Sequence, residues 1–307
     1  MTRVHGPLMR DLHLLRHRCS PSKFVCASVA ICGALAASAF LLAAGMDPKF
    51  DTSQLVREVV DNELKAQKED RSLWRYRETK SQDGKTQLLE VIETKQGNLQ
   101  RVLAVNSHPL ASEPEKNEEA RIQRLLSDHE AFQKEHRKAQ QDFEEEVRLL
   151  RMVDEAFLYQ DAGKDGAFRK LDFRPNPAFH SPSHEGEVFH HMDGSIWLDA
   201  DHKRLARISG RLTSEVKFGW GVLGHLDKGG TFIVEQREVG PGHWELTRLD
   251  VNMNGKALFF KTVEVKQMVE NYDFRPLPPE ITLQQAAQLL TRGPVESAIG
   301  VDSAERH

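Results

Sequence analysis

The sequence predicts an α+β protein: a curled antiparallel β-sheet, a half-barrel of about nine or ten strands, with covering helices and a long inserted helix. Three observations predict it. Apolar and polar residues alternate between turn signals over most of the stretch from Leu73 to Phe274. A 3-4 apolar spacing interrupts that alternation over 122–157, and an uncharged apolar run precedes everything else. So many strands do not stay flat, and a sheet that curls has an apolar face to be covered. Helices predicted at 52–70, 122–157 and 283–290 are the available covers.

The chain opens with an apolar signal or anchor helix. Phe24 to Gly45 is 22 residues without a charge, and Arg3, Arg10, Arg16, Arg18 and Lys23 stand before it against the single acid Asp11. Two readings stay open. A cleaved signal peptide fits the small residues Ala43-Ala44-Gly45, whereas a retained anchor fits the length, since a spanning helix needs about 20 apolar residues. In both, residues 46–307 are exported and periplasmic, with membrane contact through 24–45 where the leader is uncut. Ile31 before Cys32 argues against a lipoprotein signal.

Residues 46–307 hold 37 Lys+Arg and 45 Asp+Glu, a net charge of −8, and no cysteine. That excludes a disulfide framework or a Cys-built metal site in the body. It also argues against nucleic acid, or an anionic membrane surface, as a bulk-charge partner.

Thr52 to Asp70 reads as a helix capped by Thr52 or Ser53, with Leu55, Val56, Val59, Val60 and Leu64 on one face. Leu73 to Thr79 alternates, placing Trp74 and Tyr76 together, and Asp83-Gly84 is a hairpin signal leading into Leu88–Thr94. Gln96-Gly97-Asn98 turns into Leu99–Val105, and 108–114 is a linker. Ile122, Leu125, His129, Phe132, His136, Ala139, Phe143, Glu146, Leu150, Val153 and Phe157 then follow 3-4 spacing. This predicts a long helix or helical hairpin, broken near Gln140-Gln141-Asp142 or projecting from the sheet. It either packs on the sheet as an arm or binds a partner.

The remaining strands are expected at 168–173, 187–198, 206–212, 231–239, 244–253, 257–265 and 269–274. Asp193-Gly194 is a bulge or turn signal, and Asn254-Gly255 a type I′ hairpin signal. Trp244 and Leu246 are one residue out of phase with Leu249, Val251 and Met253, which predicts a bulge near Thr247-Arg248. Thr282 caps a helix over 283–290. The organisation is therefore a leader (1–45), a single domain (46–291) with a helical insertion (115–157), and a loose tail (292–307).

The run Gly194-Ser195-Ile196-Trp197-Leu198-Asp199, followed by Arg204-Leu205-Ala206-Arg207-Ile208, resembles a strand pair of the bacterial outer-membrane lipoprotein-sorting, or lipoprotein carrier (LolA/LolB-like), superfamily. The stretch from Phe218 to Gly230 and the strand region 249–262 resemble an uncharacterised branch of it. The resemblance covers roughly 164–285 and rests on structural motifs. It implies a half-open barrel, a helical lid and an apolar cavity for acyl chains. The helix at 115–157 departs from the compact carrier pattern.

Candidate chemistry is sparse. His180, His184, His190 and His191 form a metal-like cluster, but Pro177 and Pro182 deny it a helix, and adjacent strand residues point to opposite faces, so no metal is expected. Gly219, Gly221, Gly224, Gly229 and Gly230 with Lys228 lack the order of a phosphate-binding loop and read as a bent hairpin. No nucleophile arrangement is legible, so neither catalysis nor a cofactor is expected. The expected function is a non-enzymatic binding protein that holds a lipid, acyl chain or lipidated partner in an apolar cavity. Trp74, Trp197, Phe218, Trp220, Phe232, Trp244 and Phe259 are the aromatics expected at that cavity or its mouth. The alternative is a structural or sensor module with a filled cavity, binding a protein through helix 122–157.

Overall fold

The computed structural model describes residues 51–183, 186–218, 224–257 and 261–291. The leader and the tail lie outside them. Among the described residues no helix is long and apolar enough to cross a membrane.

In chain order the elements are α1 (Thr52–Glu69), β1 (Trp74–Gln82), β2 (Lys85–Ile92), β3 (Leu99–Val105), β4 (His108–Pro109), α2 (Ser112–Ser127), α3 (His129–Leu150), α4 (Val153–Ala156), β5 (Phe157–Asp165) and β6 (Phe168–Pro175). After a 3-10 turn at Gly186–His191 come β7 (Met192–Asp199), β8 (Arg204–Leu212), β9 (Val216–Phe218), β10 (Gly224–Leu226), β11 (Thr231–Gly240), β12 (His243–Ala257), β13 (Lys261–Pro276) and α5 (Leu283–Thr291). All the strands join one open antiparallel sheet in the order β4-β3-β2-β1-β13-β12-β11-β8-β7-β6-β5, with β10 on β12 and β9 on β10.

The sheet has thirteen strands where the sequence predicts nine or ten. The additions are β4, β9 and β10, which at two or three residues each are too short to show a period, and β5, whose first residue Phe157 continues the 3-4 spacing of the helix; two expected strands merge into one. Several turn signals prove to be close approaches. Gly194 pairs with Gly210 inside β7–β8, and Gly255 pairs with Val263 inside β12, so neither is a turn. A Cβ on Gly255 would collide with the carbonyl oxygen of His225 on β10, which explains the glycine. From Lys261 onward the expected strands 257–265 and 269–274 are one continuous strand, β13, while Ala257 ends β12. The strand expected from Glu187 starts only at Met192, because Val188 and Phe189 are both buried in the 3-10 turn, which no alternating strand allows.

Other local readings match. Asp83 and Gly84 take the positive φ values, 52° and 75°, of the β1–β2 turn. Register passes from Glu235↔Arg248 to Gln236↔Leu246, leaving Thr247 as the extra residue of a bulge. Thr282 caps α5, its hydroxyl accepting from Gln285 N at 3.2 Å while Gln285 Oε1 accepts from Thr282 N at 2.9 Å. Helix α1 is capped by Asp51, one residue before the expected caps, through bonds from Ser53 N and Gln54 N.

The long helix is divided, and not at 140–142. It starts at Ser112 and breaks at Asp128, whose carbonyl starts the next ladder by accepting from Phe132 N at 3.1 Å. Asp is a favoured residue at a helix start, and a one-residue break leaves the 3-4 spacing almost undisturbed. Phe157 belongs to β5.

The faces follow from the register. Leu171, Ile196, Ile208, Val234, Leu249 and Val269 stand in one row across six strands. All six are buried, and α1 closes over that face with Leu55, Val56, Val59 and Val60. A second cluster joins Leu73, Ile92 and Leu99 to Ile122, Phe132 and the α5 residues Ala286, Ala287 and Leu290. A third holds Trp74, Tyr76, Leu89 and Val91, on the opposite face of β1–β2 from Ile92. Helix α3 ties two of these together: Phe132 lies in the second cluster and Leu149 and Leu150 in the first, roughly 26 Å further along its axis.

Candidate functional site

Of the seven expected aromatics, Phe232, Trp74, Trp197 and Trp244 do not converge. Phe232 is in the main core, over the β8 backbone: a Cβ on Gly210 would strike its ring. Trp74 is in the third cluster, set edge-on to His243 with ring centres 5.8 Å apart. Trp197 is on the polar face, between Arg207 at 4.6 Å and Lys170 at 5.3 Å, and its Nε1 donates to Asp165. Trp244 packs beside Arg204, whose guanidinium carbon is 5.6 Å from its ring centre. Phe218 ends β9 opposite Gly224, while Trp220 and Phe259 lie outside the described residues.

The apolar face is occupied by side chains. Near it, a recess beside Glu63, Gln67, Arg204, Gln236 and Trp244 holds about 30 Å³, the space of one water. The larger concavity, about 720 Å³, opens on the other face, and its lining crosses β6, β7, β8, β11 and β12.

Two rows of side chains build this groove. Asp172, Ser195, Ser209, Ile233 and Asp250 are in register across five strands. Beside them run Asp193, Arg211 and Thr231. The floor is low because two small side chains meet there, Ser195 opposite Ser209, while Gly194 and Gly210 beside them face the other way, toward the core rings of Phe173 and Phe232. A Cβ on Gly194 would meet the Ser209 carbonyl and lie 2.7 Å from Gly210 Cα, so the two strands need glycine there. Next to the floor stands a taller row, Lys170, Trp197, Arg207, Glu235 and Arg248.

The groove's charges are partly paired. Ser195 Oγ donates to Asp172 at 2.5 Å, Arg211 Nε to Asp193 at 2.9 Å, and Arg248 Nη2 to Asp250 at 3.1 Å. The hydrogen bond from Arg211 to the Asp193 carboxylate holds its guanidinium pKa above the ordinary value. The lining contains neither His nor Cys, and the groove offers hydroxyls, carboxylates and guanidinium groups for hydrogen bonding. Sequence reasoning missed it. The signal was the mirrored Gly-Ser and Ser-Gly steps, which become neighbours once the Asp199–Lys203 turn is placed; Asp199 Oδ1 accepts from Asp201 N and His202 N in that turn.

Among the described residues, no three His, Cys, Asp or Glu side chains gather as a metal site. His191 Nδ1 lies 2.9 Å from Ser214 Oγ, and His190 lies 4.0 Å from Glu187. His184 lies outside the described residues. No family model, no curated protein and no solved structure matches this chain.

Proposed function

We propose that this chain is a non-enzymatic recognition module with a filled apolar interior, binding a polar partner chain along the groove over β6, β7, β8, β11 and β12. One observation carries this reading: the concavity of ligand size, within the roughly 300–1,000 Å³ of known binding sites, lies on the polar face, while α1 closes the apolar one. Helix α3 is a poorer partner surface, because Phe132, Leu149 and Leu150 are already spent on the chain's own cores. The antiparallel sheet and its covering helix support a lipoprotein-carrier-like lineage of half-barrel build. The basic flank and apolar run of the leader support an exported, periplasmic location.

Acyl-chain holding is the second reading. The observation favouring it is that α1 carries Leu55, Val56, Val59 and Val60 into the core of the apolar row, so its displacement would uncover part of that face. Titrating the full-length chain with a fluorescent fatty acid separates the two. The module reading expects no saturable uptake at about 10 μM, a concentration that detects complexes of roughly −7 kcal/mol. It also expects a photo-crosslinker at Thr231 to trap a discrete partner, and Ser209→Arg, which fills the floor, to abolish the trapping. Stoichiometric acyl uptake untouched by Ser209→Arg would establish the carrier reading instead.

A further inference from the structure

The sheet forks. Pairing between β12 and β13 stops at Arg248↔Glu270. Beyond that point residues 243–246 pair only with β11, and residues 271–276 pair only with β1. A hydrogen bond straps the fork, from Asn271 Nδ2 to Leu246 O at 3.0 Å. Trp74 crosses it, approaching His243 and the Gly240 backbone, and His243 Nδ1 lies 3.2 Å from Asp70.

The fork is lined with buried polar groups. Tyr76, Glu78, Gln236 and Asn271 are each at most 4% exposed. Tyr76 Oη, Glu78 Oε2, Gln236 Nε2 and Asn271 Oδ1 are cut off from solvent with no hydrogen-bond partner among the described residues. Glu78 stands directly opposite Asn271 in register. Asn271 gives one of its two amide N–H groups to Leu246 O, and its Oδ1, buried without a partner among the described residues, is an acceptor. An ionised carboxyl is acceptor-only; a neutral one brings a donor.

We infer that the fork is a proton-responsive joint, strapped shut by a Glu78 acid proton donated to Asn271 Oδ1 and loosened when that proton is lost to solvent. With the proton in place a chain runs from the Glu78 hydroxyl through the Asn271 amide to Leu246 O, joining β1 to β12 across β13. Without it, two acceptors face each other in a dry site, and a buried charge has to find water. The surroundings do not favour that charge. On its own strand Glu78 has Tyr76 and Lys80, and the carboxylates of Glu93, after β2, and Glu245, on β12, act on Tyr76 beside it. The groups facing it from β13 and β11, Asn271 and Gln236, are neutral. Burial raises the Glu78 carboxyl to about 7, with Lys80 opposing the shift, and Tyr76 is pushed upward by burial and by the carboxylates of Glu93, Glu78 and Glu245.

The test uses the full-length chain labelled with carboxyl-¹³C glutamate, with amide exchange at 243–247 and 271–276 read from pH 5.5 to 8.5 and corrected for intrinsic rate. The expected result is one glutamate titrating near pH 7, absent from Glu78→Gln, with protection of both segments falling through the same midpoint. In Glu78→Gln, which donates at every pH, protection should stay flat. A Glu78 signal titrating in the ordinary carboxylate range overturns the inference on its own, even if the variant does not fold. So does a fall in protection that persists in Glu78→Gln and vanishes in His243→Asn, which would assign the response to the Asp70–His243 pair.

Discussion

Glu63 of α1 holds Arg204 of β8 with both carboxylate oxygens, at 2.8 and 3.1 Å, and the same Oε1 accepts from Leu205 N at 2.9 Å. Both side chains are buried. A pair removed from water contributes little net stability, but breaking one half strands the other charge. Glu63→Ala should therefore cost about 3–5 kcal/mol in urea unfolding. Replacing both residues by Leu and Met should cost far less than either single loss, which a double-mutant cycle would show.

Glu78 makes stability depend on pH. Its folded pKa, about 7, lies above the ordinary 4.5, so between those values the native state binds the proton and the unfolded chain has released it. Stability is therefore highest below about pH 4.5 for this group, declines as pH rises through the window, and has lost its full share above pH 7. The share is up to about 3 kcal/mol. Glu78→Gln should flatten the profile from pH 4.5 to 7 and be the more stable protein at pH 8, as chemical denaturation at a series of pH values would reveal.

Gly194→Ala should be worse than Gly210→Ala. The new methyl at 194 meets backbone, the Ser209 carbonyl and Gly210 Cα, whereas at 210 it meets the tip of the Phe232 ring. A ring can turn and a paired strand cannot. Overpacking costs about 1–3 kcal/mol, and the upper end is expected for position 194 in thermal unfolding.

Removing the cap of α1 should loosen its first turn. Asp51→Ala removes the acceptor for Ser53 N and Gln54 N, a loss of about 1 kcal/mol by urea unfolding. Exchange should quicken in the first turn of α1 and leave Leu171 amide protection at its global value.

What the sequence carried was local. The alternation about Trp74 and Tyr76, the slip at Thr247 and the Thr282 cap are each a matter of neighbours within a few residues, and each is where the residues place it. What it hid was set by chains far apart. Gly194 and Gly255 look like turns until the strands that crowd them are known. Asp128 ends a helix without disturbing the seam around it. The groove depends on five strands laid side by side, so its residues carry no period of their own, and only the mirrored Gly-Ser steps of β7 and β8 betray it. The aromatics were a misleading guide because a large ring serves equally to fill a core, as Phe232 does, or to cover a charged face, as Trp197 does.

The pairing of β1 with β13 sets the order in which this molecule can be made. Gln82 waits for Gln267 and Trp74 for Pro276, 185 and 202 positions later. At a synthesis rate of about 5–20 residues per second, β1 and its meander spend roughly 10–40 s with their central neighbour unmade. During that interval the Trp74–Tyr76 edge is a bare strand in the middle of what becomes the sheet. The last long strand to emerge is therefore the keystone, and a chain truncated before 261 should leave a β1–β4 piece and a β5–β12 piece, each with an unpaired inner edge open to other chains.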